Sequence, residues 1–523
     1  MRDSKELLKN LFGPIDASDL IDENGKLSSI YSLSNSFKQN IGFQKRSLVI
    51  GRKGSGKTTY LHMLKSRLGI KCVLDIGGEF PSVADALAEE SRARYPEAAE
   101  RIWSTVIWNT VILTVYQELS DQLHFLNKRD KSQLIKYVSN LESRLDYTSK
   151  GRLSKTAGTI SEKLTKGSVG LAAAMVNAAL DSDINVTDVI RIIEHILNQA
   201  DKKATVLIDT MEFYRVSESQ AASDCLRGLM KCCAGLHLQS QRLECKLFFP
   251  DELTHYVKSK ISSSVLKDFR DVQYLHWSSS ELVCLAALKF RDTVGINALP
   301  EWNLSKLLMN DSRVAQELFH RFLPITVTND RGVKFEILSY ILRHTQRTPR
   351  QFILVLNFIS SHCFTVDNGQ IKPVTRHISE DVIHSTIKRC AQEILTDIFA
   401  TYREIYPRLE DVVSRIIPQL GRCFDDGSMW EVVNKMNIAE DFKMDYEEVK
   451  SALSDIGALG VKDLKKSNEH SVCGLFSYMT DQRLILSAGD TYCVHPIISS
   501  VYKPIKEDGL TVFPDGSSLV NGF

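Results

Sequence analysis

Short apolar runs alternate with longer stretches of helical periodicity along the first half of the chain. The runs that predict strands lie at 47–50, 71–76, 204–208, 245–249 and 272–276. Apolar spacing at i, i+3 and i+4 predicts helices at 58–68, 83–93, 102–119, 189–196 and 219–236. The unbroken run at 204–208 is typical of a strand buried on both faces. This alternation predicts an α/β domain with a parallel sheet over 47–280, interrupted by a helical insertion at about 80–200.

The second half of the chain has a different pattern. Helical periodicity recurs at 281–291, 305–309, 332–343, 349–359 and 379–399, which predicts a helical domain over 281–400. Further helices are expected near 409–420, 429–436 and 445–456, followed by β runs at 474–479, 483–487 and 491–495. Helices followed by a β-hairpin predict a winged-helix-like domain over 401–523. Residues 1–46 are predicted to be a polar helical lead-in.

Composition narrows the class of protein. Of 523 residues, 43% are hydrophobic and 25% charged, which is ordinary for a globular chain. Lysine and arginine number 65 against 64 acidic residues, so the net charge of +1 provides no global attraction to nucleic acid or membrane. The first residues lack a basic region followed by an apolar run, so we expect no signal peptide, and the apolar stretch at 169–180 is too short to span a bilayer. We therefore expect a cytoplasmic protein without membrane contact.

The eleven cysteines show no CxxC or zinc-type spacing, which predicts buried free thiols in a reducing compartment. Charge is unevenly spread, because 121–166 carries ten basic and five acidic residues. Its basic part, 128–166, is a candidate nucleic-acid-binding segment, although a solvated helical hairpin would look the same and is the favoured interpretation. The stretch 400–470 holds fourteen acidic and ten basic residues, so the winged-helix-like domain is expected to pack or bind protein rather than DNA.

A phosphate-binding motif follows the first strand. Residues 51–58 read GRKGSGKT, which matches G-x-x-x-x-G-K-[ST] between a strand and a helix. Its glycines let backbone N–H groups surround phosphate oxygens, Lys57 would reach the β- and γ-phosphates, and Thr58 would hold Mg²⁺. The alternative is a glycine turn with an ordinary surface lysine. The predicted cofactors are ATP and Mg²⁺, bound by Gly51, Arg52, Lys53, Gly54, Ser55, Gly56, Lys57, Thr58 and Thr59.

Acidic residues follow two of the later strands. Asp209 ends the buried run at 204–208, where a carboxylate is costly unless it binds something, so we predict a Mg²⁺ ligand acting through water. Glu212 is the candidate for polarising the attacking water, with a solvated loop acid as the alternative. Asp251 and Glu252 could sense the γ-phosphate or cap a helix starting at 253, and the cap is favoured.

Seven segments together resemble bacterial P-loop ATPases of the STAND and AAA+ type found in defence systems. They read GRKGSGKTT (51–59), VLIDTME (206–212), LRGLM (226–230), CKLFFPDEL (245–253), YLHWSSSELVCLAALKFR (274–291), RTPRQFILVLN (347–357) and DTYCVHPII (490–498). The resemblance implies ATPase activity and a helical lid that opens at 277–291. It implies that Arg350 is a catalytic sensor arginine reaching the γ-phosphate, with Arg347 as the alternative. Arg227 would be an arginine finger in an oligomer, or simply a solvated helix position.

These features leave three functional hypotheses. The favoured one is a regulatory ATPase whose nucleotide state drives homo-oligomerisation or release of a separate effector protein. The second is a motor, loader or sensor stimulated by nucleic acid through 128–166. The third is a scaffold that holds nucleotide without catalysis. The defence setting rests on the resemblance alone.

Overall fold

The computed structural model describes fourteen stretches of the chain, which form two compact units. The stretches are 8–15, 46–67, 69–75, 95–149, 186–209, 220–258, 267–269, 272–294, 304–329, 332–367, 370–374, 378–469, 471–504 and 510–516. The sheet unit comprises the described parts of Ile41–Gly51 and Tyr60–Tyr274. The C-terminal unit comprises those of Met1–Asn40, Arg52–Thr59 and Leu275–Phe523. Each unit has its own sheet and its own apolar core.

A five-stranded parallel sheet organises the sheet unit. Its strands are β1 (Arg46–Gly51), β2 (Ile70–Asp75), β3 (Ala204–Asp209), β4 (Leu243–Pro250) and β5 (Val272–Tyr274). They lie in the order β2-β3-β4-β1-β5, and every pairing is parallel. All six residues of β3 are buried, as its continuous apolar sequence predicts. The predicted α/β class with a parallel sheet is therefore confirmed.

Helices of this unit connect and cover the strands. They are α1 (Lys57–Arg67), α2 (Tyr95–Glu118), α3 (Lys128–Ser149), α4 (Val186–Gln199) and α5 (Gln220–Gln239). The described part of the insertion is helical, and the helix predicted at 83–93 lies outside the described residues. Helix α4 buries five apolar residues at helical spacing, Val189, Ile192, Ile193, Ile196 and Leu197.

Helices α2 and α5 of the sheet unit pack so closely that their backbones nearly touch. The Trp103 indole on α2 donates a hydrogen bond to the Cys225 carbonyl on α5 over 3.0 Å. One turn further along α5, a Cβ placed on Gly228 would lie 2.5 Å from the Cβ of Ala99 and 2.7 Å from its backbone. Only glycine fits there, because real Cβ atoms do not approach so closely.

The C-terminal unit is built mainly from helices. They are α6 (Ser279–Val294), α7 (Leu304–Leu308), α8 (Ser312–Phe319), α9 (Ile337–Leu342), α10 (Pro349–Ser360), α11 (Glu380–Tyr402), α12 (Leu409–Ile416), α13 (Asp426–Lys435), α14 (Ile438–Phe442), α15 (Tyr446–Asp455) and α16 (Pro496–Tyr502). Side-chain caps fix several starts. Thr348 accepts from the Gln351 amide before α10, and Asp445 with Glu448 forms a capping box before α15.

Strands interrupt the helical pattern in places where the sequence predicted none. The hairpin β6 (Thr326–Thr328) with β7 (Lys334–Glu336) precedes α9, so the single helix predicted at 332–343 is wrong. Glu336 explains this boundary, since its carboxylate accepts from the Leu338 and Ser339 amides and starts a new helix. A second hairpin, β8 (Phe364–Asp367) with β9 (Gln370–Pro373), separates α10 from α11.

A second five-stranded sheet lies in the last third of the chain. Its strands are β10 (Cys423–Asp425), β11 (Leu459–Asp463), β12 (Ser471–Leu475), β13 (Thr491–Val494) and β14 (Thr511–Pro514), in the order β10-β13-β11-β12-β14. The strand predicted at 483–487 is wrong, because these residues are irregular and the Arg483 side chain pairs with the Asp455 carboxylate. Helices followed by a sheet are observed, and the winged-helix assignment stays a prediction.

An N-terminal segment is anchored inside the C-terminal unit. Phe12 is fully buried and stacks on Phe290 and Phe319, and its amide donates to the Asn357 side chain over 2.8 Å. The ammonium of Lys289 on α6 donates to the Pro14 carbonyl over 3.0 Å. Burial lowers the pKa of Lys289 to about 7, because desolvation disfavours its charged form.

The cysteines largely agree with the prediction of buried free thiols. All eleven cysteines are free thiols, nine of them buried and two, Cys423 and Cys473, partly exposed. Burial raises the pKa of Cys72 to about 12, so this thiol is poorly reactive. In the described stretches, no helix combines the length and apolar character that a bilayer crossing requires.

We expect Gly228→Ala to destabilise the sheet unit, because its added methyl group overlaps Ala99 and must push α2 and α5 apart. A cost of about 1–3 kcal/mol is typical of overpacking. Thermal unfolding followed by circular dichroism measures it. Gly235→Ala on the same helix is the matched control, since a Cβ there meets no atom within 4 Å and should stabilise slightly. Equal melting temperatures for the two variants would contradict the close packing.

Lys289 should make stability depend on pH. Its pKa is about 7 in the folded chain and 10.5 ordinarily, so between these values the unfolded chain holds a proton that the folded chain lacks. Stability should therefore rise with pH from 7 to about 10, with a slope of at most about 1.4 kcal/mol per pH unit from this group. Urea unfolding at several pH values should show a smaller slope for Lys289→Met. Lys334→Met, which replaces an exposed lysine on β7, is the control and should not alter the slope.

Candidate functional site

The loop between β1 and α1 has the backbone conformation that its glycines allow. β1 ends at Gly51 and α1 begins at Lys57. Gly54 and Gly56 have φ angles of +79° and +96°, which side-chain-bearing residues rarely adopt. The Ser55 amide donates to the Arg52 carbonyl over 3.0 Å and closes the turn. The result is a glycine-shaped loop that leads directly into a helix N-terminus, the arrangement that favours anions.

Two polar side chains of the loop are fixed or enclosed by the loop itself. The Lys57 ammonium donates to the Arg52 carbonyl over 3.1 Å. The Ser55 side chain is 2% exposed, and its hydroxyl has no hydrogen-bond partner among the described residues. Thr58 and Thr59 follow in the first turn of α1, and Thr59 is buried. A buried hydroxyl without a partner is costly, so the loop is suited to receive a polar ligand.

Residues on or beside the helices of the C-terminal unit contact the backbone of the loop. The Arg350 amide, in the first turn of α10, donates to the Gly54 carbonyl over 3.4 Å. A Cβ at Gly54 would lie 2.7 Å from the Arg350 Cβ, so α10 and the loop touch there. The buried Trp277, just before α6, donates its indole N–H to the Ser55 carbonyl over 2.8 Å. Arg350 therefore lies beside the loop, and its role towards phosphate stays a prediction.

Charged side chains of the loop also contact residues that lie much later in the chain. Lys53 pairs with Asp397 on α11 over 2.9 Å, and the Arg350 guanidinium lies 3.9 Å from the other oxygen of the same carboxylate. The Arg52 guanidinium donates to the Gln346 side chain over 3.3 Å and to the Asp455 carbonyl over 2.7 Å. Consecutive loop residues thus have partners that are distant in sequence.

Within the sheet unit, the predicted acidic residue lies where a parallel sheet presents its ligands. Asp209 is the last residue of β3 and is 5% exposed. β3 and β1 are separated by β4, with Asp209 opposite Phe248 and Gly51 opposite Pro250. Both strand ends therefore lie on the carboxyl edge of the sheet, where ligands bind in open α/β folds. Glu212 lies outside the described residues.

Four other residues singled out in the sequence are Asp251, Glu252, Arg227 and Arg347. Asp251 and Glu252 belong to the first turn of the short 3₁₀ helix Asp251–Leu253, whose N-cap is Pro250, and no side chain caps it. The capping role favoured for them is therefore wrong, since the turn begins two residues earlier than expected. Arg227 is half-buried on α5. Arg347 has a φ of +49°, and its guanidinium lies beside Gly516.

Buried neutral groups surround the Arg52 side chain. Its guanidinium carbon lies 5.5 Å from the centre of the Tyr478 ring. Tyr478 bonds to His495 over 2.8 Å, and burial, together with the Arg343 and Arg52 charges, lowers the pKa of His495 to about 3. The Ile497 amide donates to Nδ1 of His495, so the neutral ring carries its proton on Nε2 and donates it to Tyr478.

Several of these loop partners were not anticipated from the sequence. Trp277 lies 222 residues from Ser55 along the chain, Gln346 lies 294 residues from Arg52, and Asp455 lies 403 residues from Arg52. Asp397, the partner of Lys53, is also far away in sequence. No spacing rule connects positions so far apart. The RTPRQF segment was the one sequence signal that pointed to this part of the site.

The fold is of the α/β class, and the loop between β1 and α1 matches the phosphate-binding motif in sequence and in the conformation of its glycines. No protein-family model matches the chain, and no curated protein matches it. Among solved structures, the chain is similar to the ORC2 protein of Aeropyrum pernix, solved as ADPNP–ADP complexes. The alignment has 11% identity and a TM-score of 0.37, and covers 90% of this chain and 89% of that one. A score this low does not establish a common fold.

Proposed function

We propose that this chain is a regulatory ATPase of the STAND and AAA+ type that binds and hydrolyses Mg-ATP. Its nucleotide state would control homo-oligomerisation or the release of a partner effector. The observation that carries this proposal is the set of contacts between the phosphate-binding loop and residues 277, 346, 350, 397 and 455. Because the loop contacts these five residues directly, a change in the loop on nucleotide binding can be transmitted to the helices that carry or flank them. A role in bacterial antiphage defence is part of the proposal and is supported by the sequence resemblance alone.

The residues present fit a nucleotide triphosphate. Gly54 and Gly56 adopt the positive φ angles that let loop amides turn towards an anion, the helix N-terminus favours negative charge, and the buried Ser55 hydroxyl lacks a partner among the described residues. Lys57 would exchange its bond to the Arg52 carbonyl for the β- and γ-phosphates. Thr58 and Asp209 are the residues that would hold Mg²⁺, which neutralises phosphate charge when bound. Glu212 remains the proposed residue for orienting water, and Arg350 the proposed γ-phosphate sensor.

A second candidate function uses the basic residues of α3. Lys128, Arg129, Lys131 and Lys136 are all exposed on this helix, so they are accessible to a phosphate backbone. Nucleic acid would then stimulate the ATPase, as in a motor, loader or sensor. Asp130 lies among them, which weakens the local positive field. The switch is therefore the preferred proposal.

Substitution of the loop lysine tests the switch. Lys57→Ala should weaken Mg-ATP binding about 10- to 100-fold, because a hydrogen bond to a charged group contributes about 1.5–3 kcal/mol. Asp209→Asn should retain binding and lose hydrolysis. Isothermal titration, phosphate release and light scattering with and without ATP measure binding, turnover and assembly. Unchanged binding and assembly in Lys57→Ala would exclude the proposal.

Charge reversal on α3 tests the second candidate. If nucleic acid is a partner, Lys128→Glu, Arg129→Glu and Lys131→Glu together should weaken DNA or RNA binding and flatten its dependence on salt. Fluorescence anisotropy at several salt concentrations measures both. The basal ATPase rate should not change, since these exposed side chains lie on the insertion and not in the loop. Equal affinity and equal salt slope would rule out this use of the helix.

A further inference from the structure

Arg52 occupies a variable position of the phosphate-binding motif, yet its side chain is firmly held by three acceptors. One nitrogen donates to the Asp455 carbonyl over 2.7 Å and to the Ser477 hydroxyl over 3.1 Å. The other terminal nitrogen donates to the Gln346 side chain over 3.3 Å, and the plane lies near the Tyr478 ring. We call Gln346, Asp455, Ser477 and Tyr478 the Arg52 receptor.

The receptor is centred on the C-terminal end of a helix. Asp455 is the last residue of α15, where carbonyl oxygens lack partners within the helix and carry the negative end of its dipole. An arginine is the side chain best suited to this end, because its charge is permanent and its donors form a planar fork. The Tyr402 hydroxyl donates to the same carbonyl over 2.9 Å, so the oxygen is fixed from two sides.

Other contacts hold the receptor rigid without Arg52. The Asp455 carboxylate accepts two hydrogen bonds from Arg483, each 2.8 Å long, and one from the Tyr406 hydroxyl over 2.7 Å. Gln346 donates to the Ile456 carbonyl over 2.7 Å. The carboxylate is thus engaged elsewhere, and Arg52 recognises the main chain of α15. A rigid receptor can impose a position on a flexible loop.

The same residue is connected to the phosphate-binding lysine. The carbonyl of Arg52 accepts from the Lys57 ammonium over 3.1 Å, while its side chain is held by the receptor. A movement of Arg52 therefore changes the position from which Lys57 reaches a phosphate. Conversely, a ligand that draws Lys57 away removes the hydrogen bond that Lys57 donates to the Arg52 carbonyl, and Arg52 is the residue whose side chain is bound to α15.

We infer that Arg52 is the positioning residue through which α15 and the nucleotide control each other, an inference that rests on the proposed function. The receptor holds the loop in the conformation that binds phosphate. Because coupling between two sites is reciprocal, bound nucleotide must in turn tighten the contact of the loop with 455–478. The C-terminal unit would then detect the nucleotide in the same chain through one arginine.

The test combines affinity with hydrogen exchange in the full chain. Arg52→Ala should weaken Mg-ATP binding about 5- to 150-fold, the range of typical coupling energies. In the wild type, ATP should slow amide exchange at 456–458 and 477–480, and in Arg52→Ala this nucleotide-dependent change should disappear. A purely structural role would alter exchange equally with and without ATP. Arg52→Lys, which keeps the charge but lacks the fork, should restore part of both effects.

Variants of the receptor and a matched control make the result decisive. Gln346→Ala should weaken ATP binding less than Arg52→Ala, and the double variant should lose less than the sum of the two. Arg422→Ala is the control, since Arg422 also donates to a backbone carbonyl of the C-terminal unit, that of Leu510, over 3.0 Å. It should bind ATP like the wild type.

The possible failures are distinguishable. A wild type that binds ATP, together with a folded Arg52→Ala that binds equally well and shows the same exchange change, overturns the coupling alone. A folded wild type that binds no nucleotide overturns the proposed function and the coupling together. Circular dichroism of each variant establishes folding. If Arg52→Ala does not fold, the two single variants Arg52→Lys and Gln346→Ala test the coupling instead.

Discussion

The bond from the Arg52 guanidinium to the Asp455 carbonyl is the interaction on which the described site depends most. A loop with two glycines at positive φ is intrinsically mobile in conformation, since glycine loses the most entropy on ordering. Ordering such a loop needs contacts outside it. Trp277 holds one carbonyl, the Arg350 amide holds another, and the Arg52 side chain anchors the start of the turn. The geometry of the loop therefore depends on residues far along the chain as much as on the motif itself.

The sequence predicted those parts of the fold that depend on local patterns. β1, the loop and α1 follow from an apolar run, a glycine motif and helical spacing, and the all-buried β3 follows from its unbroken apolar sequence. The errors occurred where a specific side-chain contact overrides a local pattern. The β-type run at 483–487 is irregular because Arg483 pairs with Asp455, and Glu336 divides the helix expected at 332–343. Partners such as Gln346 could not be predicted, because nothing in a sequence marks what will fold against a given arginine.

Burial keeps the groups around the Arg52 receptor neutral. The pKa of His495 falls to about 3 and that of Tyr478 is raised, so neither changes charge in the physiological range. The charges of this region are the guanidinium groups of Arg52 and Arg343 and the ion pair of the Asp455 carboxylate with Arg483, and Arg343 lies over the rings of Tyr340 and Phe513. A contact built from permanent cations, neutral rings and backbone carbonyls is insensitive to moderate changes in pH.

Arg52 binds a main-chain carbonyl of α15 rather than a side chain, and this limits how the sequence of the chain can change over evolution. A substitution at most positions of α15 leaves the carbonyl of its last residue where it is. A single inserted or deleted residue, in contrast, would rotate the helix end by about 100° and shift it by about 1.5 Å. Homologous chains that retain this contact should therefore vary in the sequence of the helix while conserving its length.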